Sequence, residues 1–306
     1  MPNRIALIAV LTLAVCPTIG WPQSLPVLQK KGPKDNPSAV RAMIPADAPE
    51  VRLAFPTRLA DASAGSRFQQ QIGELPRDQR EAAILREVTS GNVPEFLRRL
   101  KPICVEAIDE AGAKHVATYF VMSDYLAVGT DDDFFRVPIT PATATAIADK
   151  FDASLITSKI SDDVFAAAQV RLDPKPLTKD RDAVATFWQH QQIIEEQLRG
   201  KPHGQLVAGI KKDVVLTNRL KEKPHKVAIY GWHHPNGRPI QSLYVGHVDW
   251  YVDYSHGVRL MSQQILVDGR SLKVSDVLKD ARLCPLLSGE GPMDAAEIVR
   301  AASWRR

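Results

Sequence analysis

From Val245 to Tyr254 polar and apolar residues alternate strictly. His247, Asp249, Tyr251 and Asp253 fall on one side, and Val248, Trp250, Val252 and Tyr254 on the other. A period of two predicts a half-buried β-strand. Its polar side carries ionisable or phenolic groups throughout, where a merely solvated face would carry Lys, Glu or Thr. Ser255-His256-Gly257 interrupts the strand, and the chain is extended again over 258–266.

The same patterning predicts the other elements. Ala83, Ile84 and Val88 place a helix over 77–89, and Ser90-Gly91-Asn92 stops it. Asn92 reads as the cap of a short second helix ending at Lys101-Pro102. Strands follow at 103–108 and 115–122, with a further pair at 125–129 and 134–139. Thr140-Pro141 starts a helix to about Phe151, with Thr as N-cap and Pro at the first position. Ser161 reads as the cap of the next helix, and 173–180 as a linker. Val184, Phe187, Trp188, Ile194 and Leu198 recur at helical spacing and predict a helix over 181–199. Strands return at 206–216 and 226–233. A two-residue turn at Asn236-Gly237 would then set Trp232 opposite Gln241, and Lys226 opposite His247. A last strand at 272–274 precedes a helix capped by Ser275, and the segment after Ser288 is weakly helical. Helices and strands come in blocks rather than in β-α-β alternation. The expected class is α+β, with a mainly antiparallel sheet, flanking helices and one main domain.

Composition adds the compartment. Arg4, an apolar run over 5–15 and small or turn-forming residues to Ser24 form an N-terminal signal peptide, 1–24. The run is shorter than the ~20 apolar residues a transmembrane helix needs. Cys16 follows a bulky Val15, which argues against lipidation. The chain is therefore expected to be exported, to the periplasm or beyond. Residues 25–66 read as an irregular arm and 67–306 as the globular domain, with a possible subdivision at 173–180. With 44% hydrophobic and 24% charged residues, the chain can bury a core. A net charge of +4 without a basic, aromatic-interleaved stripe gives no footprint for nucleic acid. Beyond the signal peptide only Cys104 and Cys284 remain, and in an oxidising compartment they are expected to form a disulfide.

The chain has no G-x-S-x-G, H-E-x-x-H, phosphate-binding glycine loop or C-x-x-C motif. Asp131-Asp132-Asp133 lacks the spacing of a calcium loop and reads as a hairpin turn. Two local groups can carry chemistry. His247 and Asp249 lie ~6.6 Å apart on one strand face and could grip a divalent metal or a substrate group. Asp253, Ser255, His256 and Arg259 gather around the Gly257 turn, with His256 as general base, Asp253 as its orienting carboxylate and Arg259 as a planar donor for an anion. Tyr251, Lys211 and Trp232 are candidate substrate contacts; Lys211 and Asp213, rather than Lys212, are expected to face the site. The late antiparallel sheet with a His near a strand end resembles a family of cell-wall cysteine peptidases. Their Cys at a helix start has no counterpart here, so no role is carried over. The expected function is an exported hydrolase of peptidoglycan or another extracellular polymer. The alternative is a secreted carbohydrate- or envelope-binding scaffold using an aromatic sheet face.

Overall fold

A computed structural model describes residues 42–304. The expected signal peptide and the start of the expected arm lie outside the described residues. The chain runs through α1 (Gly65–Ile72), α2 (Arg77–Thr89), α3 (Glu95–Arg98), β1 (Lys101–Ile108), β2 (Lys114–Val121), β3 (Ala127–Gly129) and β4 (Phe134–Arg136). It continues with α4 (Pro141–Lys150), β5 (Ala153–Leu155), α5 (Ser158–Ala167), β6 (Val170–Arg171), α6 (Val184–Leu198), β7 (Val207–Ala208) and β8 (Lys212–Val214). The last third holds β9 (Ile229–His233), β10 (Pro239–Tyr244), β11 (His256–Gly257), β12 (Leu260–Val267), β13 (Arg270–Lys273), α7 (Val274–Lys279) and α8 (Ala295–Ala301).

The fold is α+β and mainly antiparallel, as the block order implies. One sheet runs β1-β2-β12-β13, with β5 also paired to β12; a second runs β10-β9-β8-β11. Two parallel pairs, β6–β7 and β8–β11, are the exceptions. The core fills between sheets and helices with residues such as Phe68, Phe120, Phe135, Ile147, Phe187, Leu260 and Ile265. Among the described residues no helix is long and apolar enough to cross a membrane.

Local caps explain most helix boundaries. Thr140 accepts from the amide of Thr143 at 3.3 Å, and Pro141 costs α4 no hydrogen bond in its first turn. α5 begins before the expected cap: Thr157, not Ser161, accepts from the amide of Ile160 at 3.2 Å. Asn92 caps nothing; its side chain ties Arg58, Glu87 and the Ser63 carbonyl together. Ser275 likewise lies inside α7, preceded by Lys273.

The strand expected over 245–254 does not form. β10 stops at Tyr244, and only Val248 makes a bridge, to Lys226. A first turn is closed by the amide of Tyr251 donating to the Val248 carbonyl at 3.0 Å. A second is closed by the amide of His256 donating to the Asp253 carbonyl at 3.0 Å. Asp253 Oδ1 also accepts from the Ser255 amide at 2.8 Å and hydroxyl at 2.6 Å, so a short polar side chain offers the backbone a turn in place of a ladder. The register differs too. His233 pairs with Pro239 and Gly231 with Gln241, while a bulge before Tyr244 shifts the pairing further on. Lys226 therefore bridges Val248 rather than His247.

Cys104 and Cys284 are both free, so the expected disulfide is not formed. Cys104 alternates with the buried Ile103 and Val105 and points off that face, whereas Cys284 is buried with its Sγ 3.7 Å from the Ala281 carbonyl.

Candidate functional site

The site is assembled on the second sheet. β8 and β11 pair in parallel with Lys212 opposite His256, and the Lys212 amide donates to the Ser255 carbonyl at 2.7 Å. Directly paired residues share a sheet face, so the Lys212 and His256 side chains are neighbours. On the other side of β8, Lys212 pairs with Gly231, which in turn pairs with Gln241. Gly231 puts no side chain between them. The 245–255 loop then folds over this row.

The double turn brings together groups that an extended strand would have spread out. The rings of His247 and Tyr251 are 4.8 Å apart, those of His247 and His256 6.0 Å, and those of Tyr251 and His256 5.9 Å. Asp253 Oδ2 accepts from Arg181 at 2.6 and 3.1 Å and from the Tyr251 hydroxyl at 3.3 Å. His256 Nε2 lies 3.9 Å from Asp253 Oδ1, too far for a hydrogen bond, and this buried nitrogen has no partner. A cleft of about 340 Å³ opens here, lined by Arg181, Lys212, Gln241, Tyr244, His247, Tyr251 and Asp253. His256 sits against the His247 and Tyr251 rings and is 1% exposed.

Electrostatics sort the groups by charge. Burial lowers the pKa of His256 to about 4; Asp253 opposes this, and Lys212, His247 and Lys211 reinforce it. Burial lowers His247 too, against Asp253 and with Lys212, Arg181 and Lys226. Both imidazoles are thus neutral at neutral pH. Burial alone would raise the Asp253 carboxyl, but His256, the Ser255 hydroxyl and amide, and Arg181 hold it well below the usual carboxylate range. Asp253 is therefore ionised. Lys212 is 8% exposed, and burial lowers its pKa. Its ammonium lies 5.9 Å from the Trp232 ring, and among the described residues it has no ion pair.

Of the residues predicted from sequence, His247, Tyr251, Asp253 and His256 converge. The others do not. Asp249 points away from this cleft and lies 3.6 Å from His225. The His247–Asp249 metal pair is thereby broken, and among the described residues no three His, Cys, Asp or Glu side chains are placed to hold a metal ion. Arg259 is buried, donating to the Met122 and Val207 carbonyls at 2.6 and 2.8 Å with its guanidinium over Tyr125. Ser255 is buried, with its hydroxyl committed to Asp253. Lys211 is buried behind the site, donating to the Tyr254 carbonyl; burial, with Arg136, lowers its pKa to about 7. It is Lys212, not Lys211, that reaches the cleft.

Trp232 lies beneath Lys212 at 2% exposure, so it supports the site and is not a surface for substrate. Its φ of 54° follows the φ of 93° at Gly231, and this pair of left-handed residues breaks the alternation of β9. Three lining residues escaped the sequence reading: Arg181, Lys212 and Gln241. Arg181 was expected inside a helix. α6 instead starts at Val184 after a turn in which the Ala183 amide donates to the Asp180 carbonyl, leaving Arg181 free to reach Asp253. No local signal marks that approach.

No protein-family model, curated protein or solved structure matches this chain.

Proposed function

We propose that the protein is an exported hydrolase of a cell-envelope or extracellular polymer, and that the His247–His256 cleft is its active site. The observation that carries the reading is the nearly buried, unpaired ammonium of Lys212 beside two neutral imidazoles in an open cleft. Asp253 favours its charged form without a direct ion pair, and a buried cation lacking such a pair is costly unless a ligand supplies one. A neutral imidazole is the usual group for moving a proton at neutral pH. His247, the more accessible of the two, takes a proton from an attacking water and returns it to the leaving group as the scissile bond breaks. His256 packs against it, and Asp253, anchored by Arg181, favours the charged state that His247 passes through. Lys212 receives an anionic group of the substrate.

The reading of a binding protein on an aromatic sheet face has less surface to stand on, because Trp232 and Tyr254 are buried. The deciding experiment incubates the mature chain, from residue 25, with peptidoglycan and a polysaccharide panel, and follows soluble products by mass spectrometry. Release that disappears in His247→Gln and His256→Gln supports the assignment. Release that survives both substitutions overturns it, and no release from any polymer favours the binding reading. Fractionation of cells expressing the full chain tests export: retention in the cytoplasm would remove the proposed compartment.

A further inference from the structure

A second cleft, of about 450 Å³, lies between α2, α4 and the loop, and none of the His247 chemistry reaches it. Its wall holds Asp249 and Trp250 from the loop and Trp304 from the C-terminal segment. Trp304 is buried, donating from Nε1 to the Lys226 carbonyl at 2.7 Å. Trp250 is 48% exposed, with the Arg77 guanidinium 4.7 Å from its ring centre. An exposed Trp in a concave site is unusual, since apolar rings of this size are normally covered.

The wall also holds unused hydrogen-bonding capacity. Glu81 is 9% exposed; its Oε2 accepts from the Thr140 amide and hydroxyl at 3.0 and 2.9 Å, while Oε1 has no hydrogen-bond partner. Thr145, 5% exposed, also has an unpartnered hydroxyl. Buried polar atoms without partners are rare and call for a reason.

We infer that this cleft binds a neutral pyranose ring, stacked on the face of Trp250 that Arg77 leaves open and hydrogen-bonded through its hydroxyls to Asp249 and Glu81. A sugar presents an apolar C–H face and a rim of hydroxyls, matching an aromatic wall edged by carboxylates. Arg77 covers the other face of Trp250 and already fills the cation–π position there, so a cationic ligand has less to gain from this ring. The inference deepens the hydrolase reading and rests on it only in making the bound ring part of the substrate; the binding site itself is separate.

The test is calorimetric titration of the mature protein with cellotetraose, with the tetramer of N-acetylglucosamine and with the cationic tetramer of glucosamine. At least one neutral tetramer binds; Trp250→Ala weakens it about tenfold, Trp250→Tyr keeps most of the affinity and His256→Gln leaves it unchanged. The inference is overturned if neither neutral tetramer binds up to about 10 mM, if Trp250→Ala binds as well as the wild type, or if the cationic tetramer binds tightest. Because Trp250 is half-exposed, its replacement leaves the core intact, and circular dichroism confirms it. Binding needs no turnover, so the two readings fail separately. Lost hydrolysis with intact binding removes the His247 assignment alone, and lost binding with intact hydrolysis removes the sugar site alone.

Discussion

Lys212 and His256 occupy paired positions of the parallel β8–β11 ladder, so an ammonium with no ion pair among the described residues shares a sheet face with a buried neutral imidazole. Burial depresses the charged state of each, Lys212 further depresses that of His256, and Asp253 opposes the shift in both. The arrangement costs stability in the free protein and gives a bound anion a ready partner.

Replacing Lys212 should therefore separate stability from function. Lys212→Met removes a buried charge and leaves an alkyl chain of similar shape over Trp232, so the melting temperature is expected to stay the same or rise. On an anionic substrate KM should rise by at least about tenfold, with kcat changed less. A lower melting temperature with KM unchanged would refute the anion-binding role.

The two histidines should differ from the rest of the site in what they control. His247→Gln and His256→Gln are each expected to lower kcat by about 10²–10⁴-fold with the far-ultraviolet spectrum unchanged, the range for losing a positioned acid–base group. Asp249→Asn should leave kcat within about threefold, since Asp249 faces the other cleft. A large kcat loss in Asp249→Asn would put that residue back in the chemistry.

Acidification should unfold the protein partly through His256. Unfolded, this imidazole binds a proton near pH 6.5; folded, only near pH 4. Between those values the unfolded chain holds the extra proton, so stability is full above pH 6.5 and falls as the pH drops toward 4. The loss assigned to His256 is about 3 kcal/mol. Asp213, Asp163 and Glu81 act oppositely, because burial raises their carboxyls and the folded state keeps their protons to higher pH. Urea titrations of wild type and His256→Gln at pH 7 and pH 4.5 separate these contributions. The gap between the two proteins should shrink or reverse at the lower pH, and a constant gap would count against a neutral buried His256.

Gly257 sets how closely β11 approaches Tyr125. A Cβ on Gly257 would lie 2.4 Å from Tyr125 Cδ1. That ring cannot easily move: its hydroxyl donates to the Lys211 carbonyl at 3.1 Å, and the Arg259 guanidinium lies over it. Gly257→Ala is expected to destabilise by about 1–3 kcal/mol and to lower turnover by displacing His256. Chemical denaturation and kcat measured together check it, and wild-type values of both would show that the ring yields.

Free thiols should be measurable directly. Denatured, unreduced protein spanning residues 25–306 is expected to release two equivalents on thiol titration, from Cys104 and Cys284. Zero equivalents would restore the disulfide.

The sequence by itself determined the fold class, the helices over 77–89 and 141–150, and four of the residues that meet in the cleft. Those features depend on neighbours a few positions away: a Thr-Pro start, a 3.6-residue stripe, a cluster of His, Asp and Tyr. Tertiary structure decided the rest. A period-two pattern over 245–254 satisfies a strand only when another strand supplies a ladder, and here the Asp253 side chain and the Val248 carbonyl close turns instead. That bend removed Asp249 from the site and joined His247 to His256. The left-handed pair at Gly231 and Trp232 broke the alternation of β9, and Lys212 rather than Lys211 came to the cleft. Arg181 reached Asp253 across 72 residues of chain. Such contacts are chosen by packing between distant segments, and nothing in either segment's local spacing records its partner.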